Sequence, residues 1–205
     1  MNIKIKKSLH RKKGLRYSFA RIVLKIIGWK VDQQVPDCKK YLLIAVPHTS
    51  NWDLPLMLIV SMVIGVKLNW VSKDTIFKGV FGTYLKWLGG IPVNRRLRTN
   101  FSDQVIEVFN KASELIIVIA PEGTRSRTEF WKTGFYHIAV GAKIPVAFGY
   151  LDYGKKEAGI GSLLYPTGNI ENDFEVIRDF YKNKAGKKQN NFGPIQVNPE
   201  KLIGS

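Results

Sequence analysis

Apolar runs alternate with helical patterns along most of the chain, and short apolar runs between polar or turn residues are typical of buried strands. These runs occupy 41–47, 66–72, 91–94, 115–120 and 144–150. Helical patterns occupy 53–66, 77–88, 100–112 and 130–142, and Asn172 with Glu175 predicts the capped start of a last helix. Strands that alternate with helices are typical of a mostly parallel sheet with both faces covered. We therefore expect one α/β domain, a mostly parallel sheet flanked by helices.

The first thirty residues carry a different pattern, that of a basic amphipathic helix. Apolar side chains recur at steps of three and four, which places them on one helix face. They are Leu15, Phe19, Ile22, Ile26 and Trp29. The segment before Asp32 contains ten Lys or Arg residues and no acidic residue. Such a helix lies in an anionic membrane interface, where each basic residue contributes about 1 kcal/mol; packing on its own domain is the alternative.

These patterns predict three regions. They are a membrane-associating arm at 1–36, the main α/β domain at 37–181 and a polar C-terminal tail at 182–205. The longest apolar run, 54–66, falls short of the roughly 18 residues of a transmembrane helix. The lone Cys38 excludes an internal disulfide and suits a reducing compartment. We therefore expect a peripheral or monotopic protein on the cytoplasmic face of a membrane.

The composition narrows the class of partner. With 45% hydrophobic and 23% charged residues, the 205-residue chain can bury a core, which excludes disordered, collagen-like and disulfide-scaffold proteins. The net charge of +16 points to an anionic partner, which could be nucleic acid, membrane lipid or a phosphorylated metabolite. Ten of the basic residues lie in the arm, so much of the charge excess points to a membrane.

The loop after the first predicted strand of the domain, HTSNWD, contains His48 and Asp53. Ligands bind beyond the carboxyl ends of parallel strands, so this loop is a candidate site. An Asp that accepts a hydrogen bond from one imidazole nitrogen leaves the other nitrogen as a general base. Because the chain has no Gly-x-Ser-x-Gly nucleophile motif, a hydroxyl of the substrate would have to attack. Capping of the next helix by Asp53 is the non-catalytic alternative.

Two further loops at predicted strand ends contain residue types that bind phosphate. The sequence APEGTRSR contains Glu122, Gly123, Thr124 and Arg125. Arginine binds phosphate through two hydrogen bonds. Glutamate orients that arginine or accepts a hydrogen bond from a glycerol or sugar hydroxyl. Glycine lets a ligand approach the backbone closely. The sequence GGIPVNRR places Arg95 at the end of a short strand. For the first of these loops the alternative is a solvated turn with a surface ion pair, and for the second a single arginine at a strand end is commonplace.

Together the three loops resemble the glycerolipid acyltransferase family, that of the 1-acylglycerol-3-phosphate acyltransferases. The blocks HTSNWD, GGIPVNR and PEGTR stand in the family's order and spacing, and the resemblance covers about 41–150. It implies the glycerol-phosphate acyltransferase fold and transfer of a fatty acyl group from acyl-CoA or acyl-ACP to the free hydroxyl of a lysophospholipid. The default reaction converts lysophosphatidic acid to phosphatidic acid. The acyl donor is a co-substrate, so no further cofactor is expected, and the His and Cys spacing predicts no metal site.

The resemblance also implies roles for individual residues. His48 would be the general base and Asp53 its orienting partner. Lys73, after the second predicted strand, would support the thioester. Arg95 and Arg125 would surround the acceptor phosphate.

Several alternatives stay open at this point. Pro92, Asn94 and Phe148 depart from the family's pattern in blocks associated with the acceptor, so another lysolipid, such as a lyso-aminolipid, remains an alternative acceptor. A thioester hydrolase would use the same two residues on water. From another class, a basic nucleic-acid-binding protein would also suit the net charge, although no RNA- or DNA-binding motif is present and we expect no nucleic acid partner.

Overall fold

The computed structural model of the chain describes residues 5–7, 14–94 and 101–201. Within these ranges the strands are β1 (Ile5–Lys7), β2 (Lys30–Val31), β3 (Gln34–Pro36), β4 (Lys40–Val46), β5 (Asn69–Lys73), β6 (Gly90–Val93), β7 (Leu115–Ile119), β8 (Val146–Asp152) and β9 (Glu157–Leu164). The α-helices are α1 (Leu15–Ile26), α2 (Asp53–Ile64), α3 (Gly79–Trp87), α4 (Phe101–Lys111), α5 (Gly134–Gly141) and α6 (Ile170–Tyr181). Strands and helices alternate from β4 to β8, so the predicted α/β class is confirmed.

Seven of the described strands form one sheet in the order β2-β9-β8-β4-β7-β5-β6, and β1 pairs with β3 outside it. All neighbours from β8 to β6 are parallel, whereas β9 is antiparallel to β8 and parallel to β2. The sheet is therefore mostly parallel, as predicted. Because parallel strands end at the same edge, the residues that follow β4, β5, β6, β7 and β8 share one edge of the sheet.

Helices cover both faces of this sheet. The central strand β4 is apolar at successive positions because alternate side chains enter opposite cores. Leu42 and Ile44 lie in the core covered by α4, α5 and α6, called the α6 face below. Tyr41 and Leu43 lie in the core covered by α1 and α2, called the α2 face. The helix α3 lies next to β6 near the edge of the sheet.

Strand β9 and the start of α6 differ from the sequence prediction. The sequence EAGIGSLL predicts no strand, because glycine occupies half of the positions on one face of the would-be strand. A larger residue would clash in the fold, since a Cβ at Gly161 would lie 2.2 Å from Cζ of Phe180. Asn169 rather than Asn172 caps helix α6, which begins at Ile170, so the predicted cap is wrong by three residues. The side chain of Asn169 caps it by accepting from the backbone N–H of Asn172 at 3.2 Å.

The amphipathic helix expected in the arm is α1, and it packs on the domain by a narrow face. Its residues Ala20 and Leu24 are buried against the α2 face. Four of the five apolar side chains of its predicted stripe are exposed, with Leu15 at 92%, whereas Trp29 packs against the α2 face. The others that are exposed are Phe19, Ile22 and Ile26. No α-helix in the described part of the chain is long and apolar enough to cross a membrane.

Candidate active site

His48 and Asp53 meet at the sheet edge where β4 ends. The imidazole Nδ1 of His48 lies 3.2 Å from Oδ2 of Asp53. The His48 side chain is 27% exposed, while that of Asp53 is buried. A carboxylate only accepts hydrogen bonds, so Nδ1 carries the hydrogen and Nε2 keeps a free lone pair.

Asp53 is the first residue of α2 and is held by the backbone around it. Its Oδ2 also accepts from the N–H groups of Thr49 at 2.9 Å and Ser50 at 2.8 Å. Its Oδ1 accepts from the hydroxyl of Tyr153 at 2.8 Å. Burial raises the pKa of Asp53, but hydrogen bonds from His48, Tyr153 and Ser50 outweigh it, and the net pKa is lowered. Asp53 therefore stays ionised, fixes the loop and orients the imidazole at once.

Tyr153 is a site residue that the sequence reasoning missed. It follows β8, and its ring packs edge-on against Trp29, which follows α1, with centroids 5.0 Å apart. Burial and the hydrogen bond to Asp53 raise the pKa of its hydroxyl, so it remains a donor. The sequence feature that could have identified Tyr153 is its position just beyond the carboxyl end of β8. Because β8 is parallel to β4, that end lies beside the end of β4.

Glu122 lies behind His48 rather than at the surface of the site. It is 4% exposed, and its two carboxylate oxygens accept from the backbone N–H of His48 at 3.2 and 2.9 Å. Burial raises the pKa of Glu122 to about 7, against the opposing effect of the His48 hydrogen bond. Glu122 therefore holds the backbone of the loop that carries the His48 imidazole.

The neighbours of Glu122 have separate positions. Gly123 has φ +67°, and a Cβ there would lie 2.6 Å from Cε of Lys132, so the turn needs glycine. The Thr124 hydroxyl accepts from the backbone N–H of Ser126 at 3.2 Å, within the same turn. Arg125 reaches across to the HTSNWD loop and donates to the side-chain oxygen of Asn51.

Lys73 does not reach this cluster, and the position of Arg95 is not described. Lys73 is the exposed last residue of β5 and does not line the cavity beside His48. Arg95 lies outside the described residues. Phe148, which departs from the family pattern, is buried on the α6 face against Phe180 and Tyr181.

A cavity of about 430 Å³ opens from His48 and Asp53 and runs between α2 and the sheet. Its polar end is formed by these two residues with Asn51 and Arg125. The rest is lined mostly by aliphatic side chains, together with Trp70 and Tyr150. Examples from α2 and the facing strands are Leu54, Met57, Val60, Ile64, Leu43, Val118 and Ile160. The volume lies within the range of small-molecule pockets, and the lining suits a hydrocarbon chain.

Comparison with known proteins identifies the family. The sequence profile of the Acyltransferase family matches residues 28–147, which include His48, Asp53 and the PEGTR loop. The fold is similar to that of PlsC from Thermotoga maritima, a 1-acyl-sn-glycerophosphate (LPA) acyltransferase, with a TM-score of 0.54. The two chains are 18% identical, over 84% of this chain and 80% of the other. No curated protein sequence matches the chain. The profile covers more than half of its length, and the chain belongs to the Acyltransferase family.

Proposed function

We propose that the protein transfers a fatty acyl group from acyl-CoA or acyl-ACP to the free hydroxyl of a lysophospholipid. The default acceptor is lysophosphatidic acid, which would become phosphatidic acid. The observation that carries this proposal is the placement of His48 and Asp53 at the polar end of an apolar cavity. Membership of the Acyltransferase family and the fold shared with an LPA acyltransferase support it.

His48 supplies the proton transfer in this mechanism. Its Nε2 removes the proton from the acceptor hydroxyl, whose oxygen attacks the carbonyl carbon of the thioester. The new C–O bond forms, the C–S bond breaks, and the proton on Nε2 passes to the departing thiolate. The Asp53 carboxylate stabilises the imidazolium in between through Nδ1. Among the described residues, no Ser or Cys side chain is hydrogen-bonded to His48, which favours direct attack by the bound hydroxyl.

The cavity provides the binding energy for the acyl chain. Helix α2 has 12 residues and spans about 18 Å, so a chain lying under it is shielded over most of its length. Each methylene group moved from water to such an environment contributes about 0.8 kcal/mol. The thioester carbonyl then lies at the polar end, beside His48. Arg125 is positioned there to bind an acceptor phosphate.

We also propose that the enzyme docks peripherally on an anionic membrane, at its cytoplasmic face. The exposed apolar stripe of α1 adjoins a second exposed apolar face on α3. The two helices meet where the guanidinium of Arg16 on α1 lies 6.0 Å from the ring centroid of Trp87 on α3. The exposed side chains on α3 are Val80, Phe81, Tyr84 and Trp87. Basic residues beside these faces, such as Lys25 and Lys86, match an anionic lipid surface.

The acyl transfer is tested with the purified chain, acyl-CoA or acyl-ACP, and a panel of lysophospholipids, with products measured by mass spectrometry. We expect diacyl product with lysophosphatidic acid, and a loss of about 10²- to 10⁴-fold in His48→Ala. Far-ultraviolet circular dichroism checks that the variant is folded. Full turnover in His48→Ala would exclude the mechanism. Release of free thiol without any acceptor would instead identify a thioester hydrolase.

Membrane docking is tested by co-sedimentation with vesicles of phosphatidylglycerol or of phosphatidylcholine. Phe19→Asp on α1 and Phe81→Asp on α3 should each weaken binding to the anionic vesicles. Val176→Asp is the matched control, because Val176 is equally an exposed apolar residue but lies on α6. Equal binding by all three variants would contradict the assigned surface.

A further inference from the structure

Residues 184–192 cross the loops of the candidate site and are called the C-terminal strap here. The backbone N–H of Lys188 donates to the hydroxyl of Thr49 at 3.2 Å, within the HTSNWD loop. The side-chain amide of Asn191 donates to the carbonyl of Arg125 at 2.9 Å, within the PEGTR loop. The segment expected to be a polar tail therefore bonds both loops that carry the candidate catalytic and phosphate-binding residues.

The strap is held close to the site by tight packing. A Cβ at Gly186 would lie 2.7 Å from Oγ1 of Thr49, so only glycine fits there. The carbonyl of Ala185 accepts from the N–H of Tyr153 at 2.8 Å. The buried side chain of Asp152 accepts from the N–H of Ala185 at 3.3 Å. These bonds fix the residue between Gly186 and Lys188 relative to the site.

That residue is Lys187, whose ammonium group lies beside two aromatic side chains next to the His48–Asp53 pair, called the dyad below. Its Nζ is 5.6 Å from the ring centroid of Tyr153 and 5.8 Å from that of Trp52. The Tyr153 hydroxyl donates a hydrogen bond to Asp53, and Trp52 immediately precedes Asp53 in the HTSNWD loop. In the described part of the chain, no carboxylate forms an ion pair with Lys187. An exposed cation, ordered by two aromatic rings and without an acidic partner, is suited to bind an anion from solution.

We propose that Lys187, which flanks the loops of the site without lining the cavity, binds a phosphate group of a substrate. This inference rests on the proposed function, since both substrates of an acyl transfer to a lysophospholipid carry phosphate. The phosphate belongs either to the lysophospholipid acceptor or to the coenzyme A or carrier-protein part of the donor. The strap thereby contributes a substrate-binding residue from outside the segment that the family profile matches.

Lys187→Met is the test variant, and Lys187→Arg keeps the charge. Lys111→Met is the matched control, because Lys111 is an exposed lysine at the end of α4, near the amino end of β7. We expect Lys187→Met to raise one KM about tenfold, and Lys187→Arg to restore it. Circular dichroism and thermal unfolding should be unchanged in all three variants.

Varying the substrates assigns the phosphate. A raised KM for lysophosphatidic acid, with an unchanged KM for the uncharged monoacylglycerol, assigns it to the acceptor. A raised KM for the acyl donor at saturating acceptor assigns it to the donor. Unchanged KM values for both substrates in Lys187→Met would overturn the proposal while leaving the proposed function intact.

A binding measurement separates this inference from the proposed function. Isothermal titration calorimetry with glycerol 3-phosphate, and separately with coenzyme A, does not depend on turnover. We expect wild type and Lys111→Met to bind at least one of these probes and Lys187→Met to bind it about tenfold more weakly. If the wild type transfers no acyl group but this difference remains, only the proposed function fails. Equal binding of both probes by all variants would overturn the role of Lys187.

Discussion

The two faces of the sheet are filled in different ways. On the α6 face, aromatic rings from successive elements contact one another, as Trp131 does with Phe135, Phe174 and Tyr181. On the α2 face, aliphatic side chains of α2 and the strands leave a cavity of about 430 Å³. Close packing stabilises a core, whereas an empty apolar volume forgoes those contacts. The α6 face therefore contributes more stability for each side chain, and the α2 face keeps room for a ligand.

The two members of the dyad are held by different side chains. Tyr153, part of the α2 face, donates to Asp53. Glu122, which is buried beyond the end of β7, accepts from the backbone N–H of His48. The α2 face therefore holds the carboxylate, and Glu122 holds the backbone that carries the imidazole.

Truncating a core side chain on each face should give the largest contrast. Ile177→Ala on α6 removes a fully buried side chain, and we expect a loss of about 2 to 5 kcal/mol in the free energy of unfolding. Met57→Ala, which enlarges a cavity that already exists, should cost about 1 kcal/mol. Urea unfolding followed by circular dichroism measures both. Equal losses would show that the two faces do not differ in packing.

Enlarging a side chain on each face should give the reverse result. Val105→Phe on α4 overfills the α6 face, where Val105 is fully buried, and should cost about 1 to 3 kcal/mol. Val60→Phe on α2 extends into the cavity and should cost less. It should also shift acyl transfer toward shorter chains, which is measured with a series of acyl-CoA lengths. An unchanged chain-length profile would place the acyl chain elsewhere.

Removing the hydroxyl that reaches the dyad from the α2 face should lower turnover. Tyr153→Phe keeps the ring against Trp29 but removes the hydrogen bond to Asp53. We expect kcat to fall about tenfold with little change in KM. Because that bond lowers the pKa of Asp53, the pKa of the Asp53 carboxyl should be higher in the variant. Tyr17→Phe is the matched control, and an unchanged kcat in Tyr153→Phe would leave Tyr153 a packing residue.

Removing the ionisable group behind His48 should change how stability depends on pH. The pKa of Glu122 is raised from 4.5 to about 7 in the folded protein. Between these values the folded state holds a proton that the unfolded state has lost, so this group lowers stability as pH rises. Glu122→Gln still accepts from His48 but cannot ionise. Relative to this variant, the wild type should lose stability from pH 5 to pH 7, at most about 1.4 kcal/mol per pH unit; parallel curves would contradict the raised pKa.

The sequence predicted what local pattern and strand order determine. The run from Tyr41 to Val46 predicts a strand buried on both faces, and the strand end places His48 at the edge of the sheet. Contacts between distant segments could not be predicted in this way. Tyr153 lies one hundred residues from Asp53 along the chain. Strand β9 has no strand-like pattern in the sequence, because its glycines make room for side chains of neighbouring elements. The strap looked like a tail because its polar residues bond across the site rather than along a periodic element.

Asp53 both starts the helix that covers the cavity and orients His48. Any opening that unwinds the first turn of α2 therefore also removes the partner of the imidazole. A chain that is only partly folded, or whose cavity is open to water, then lacks an oriented base. Under the proposed function, the base and the shielding from water would be lost together, so an acyl thioester would not be hydrolysed during folding or local opening.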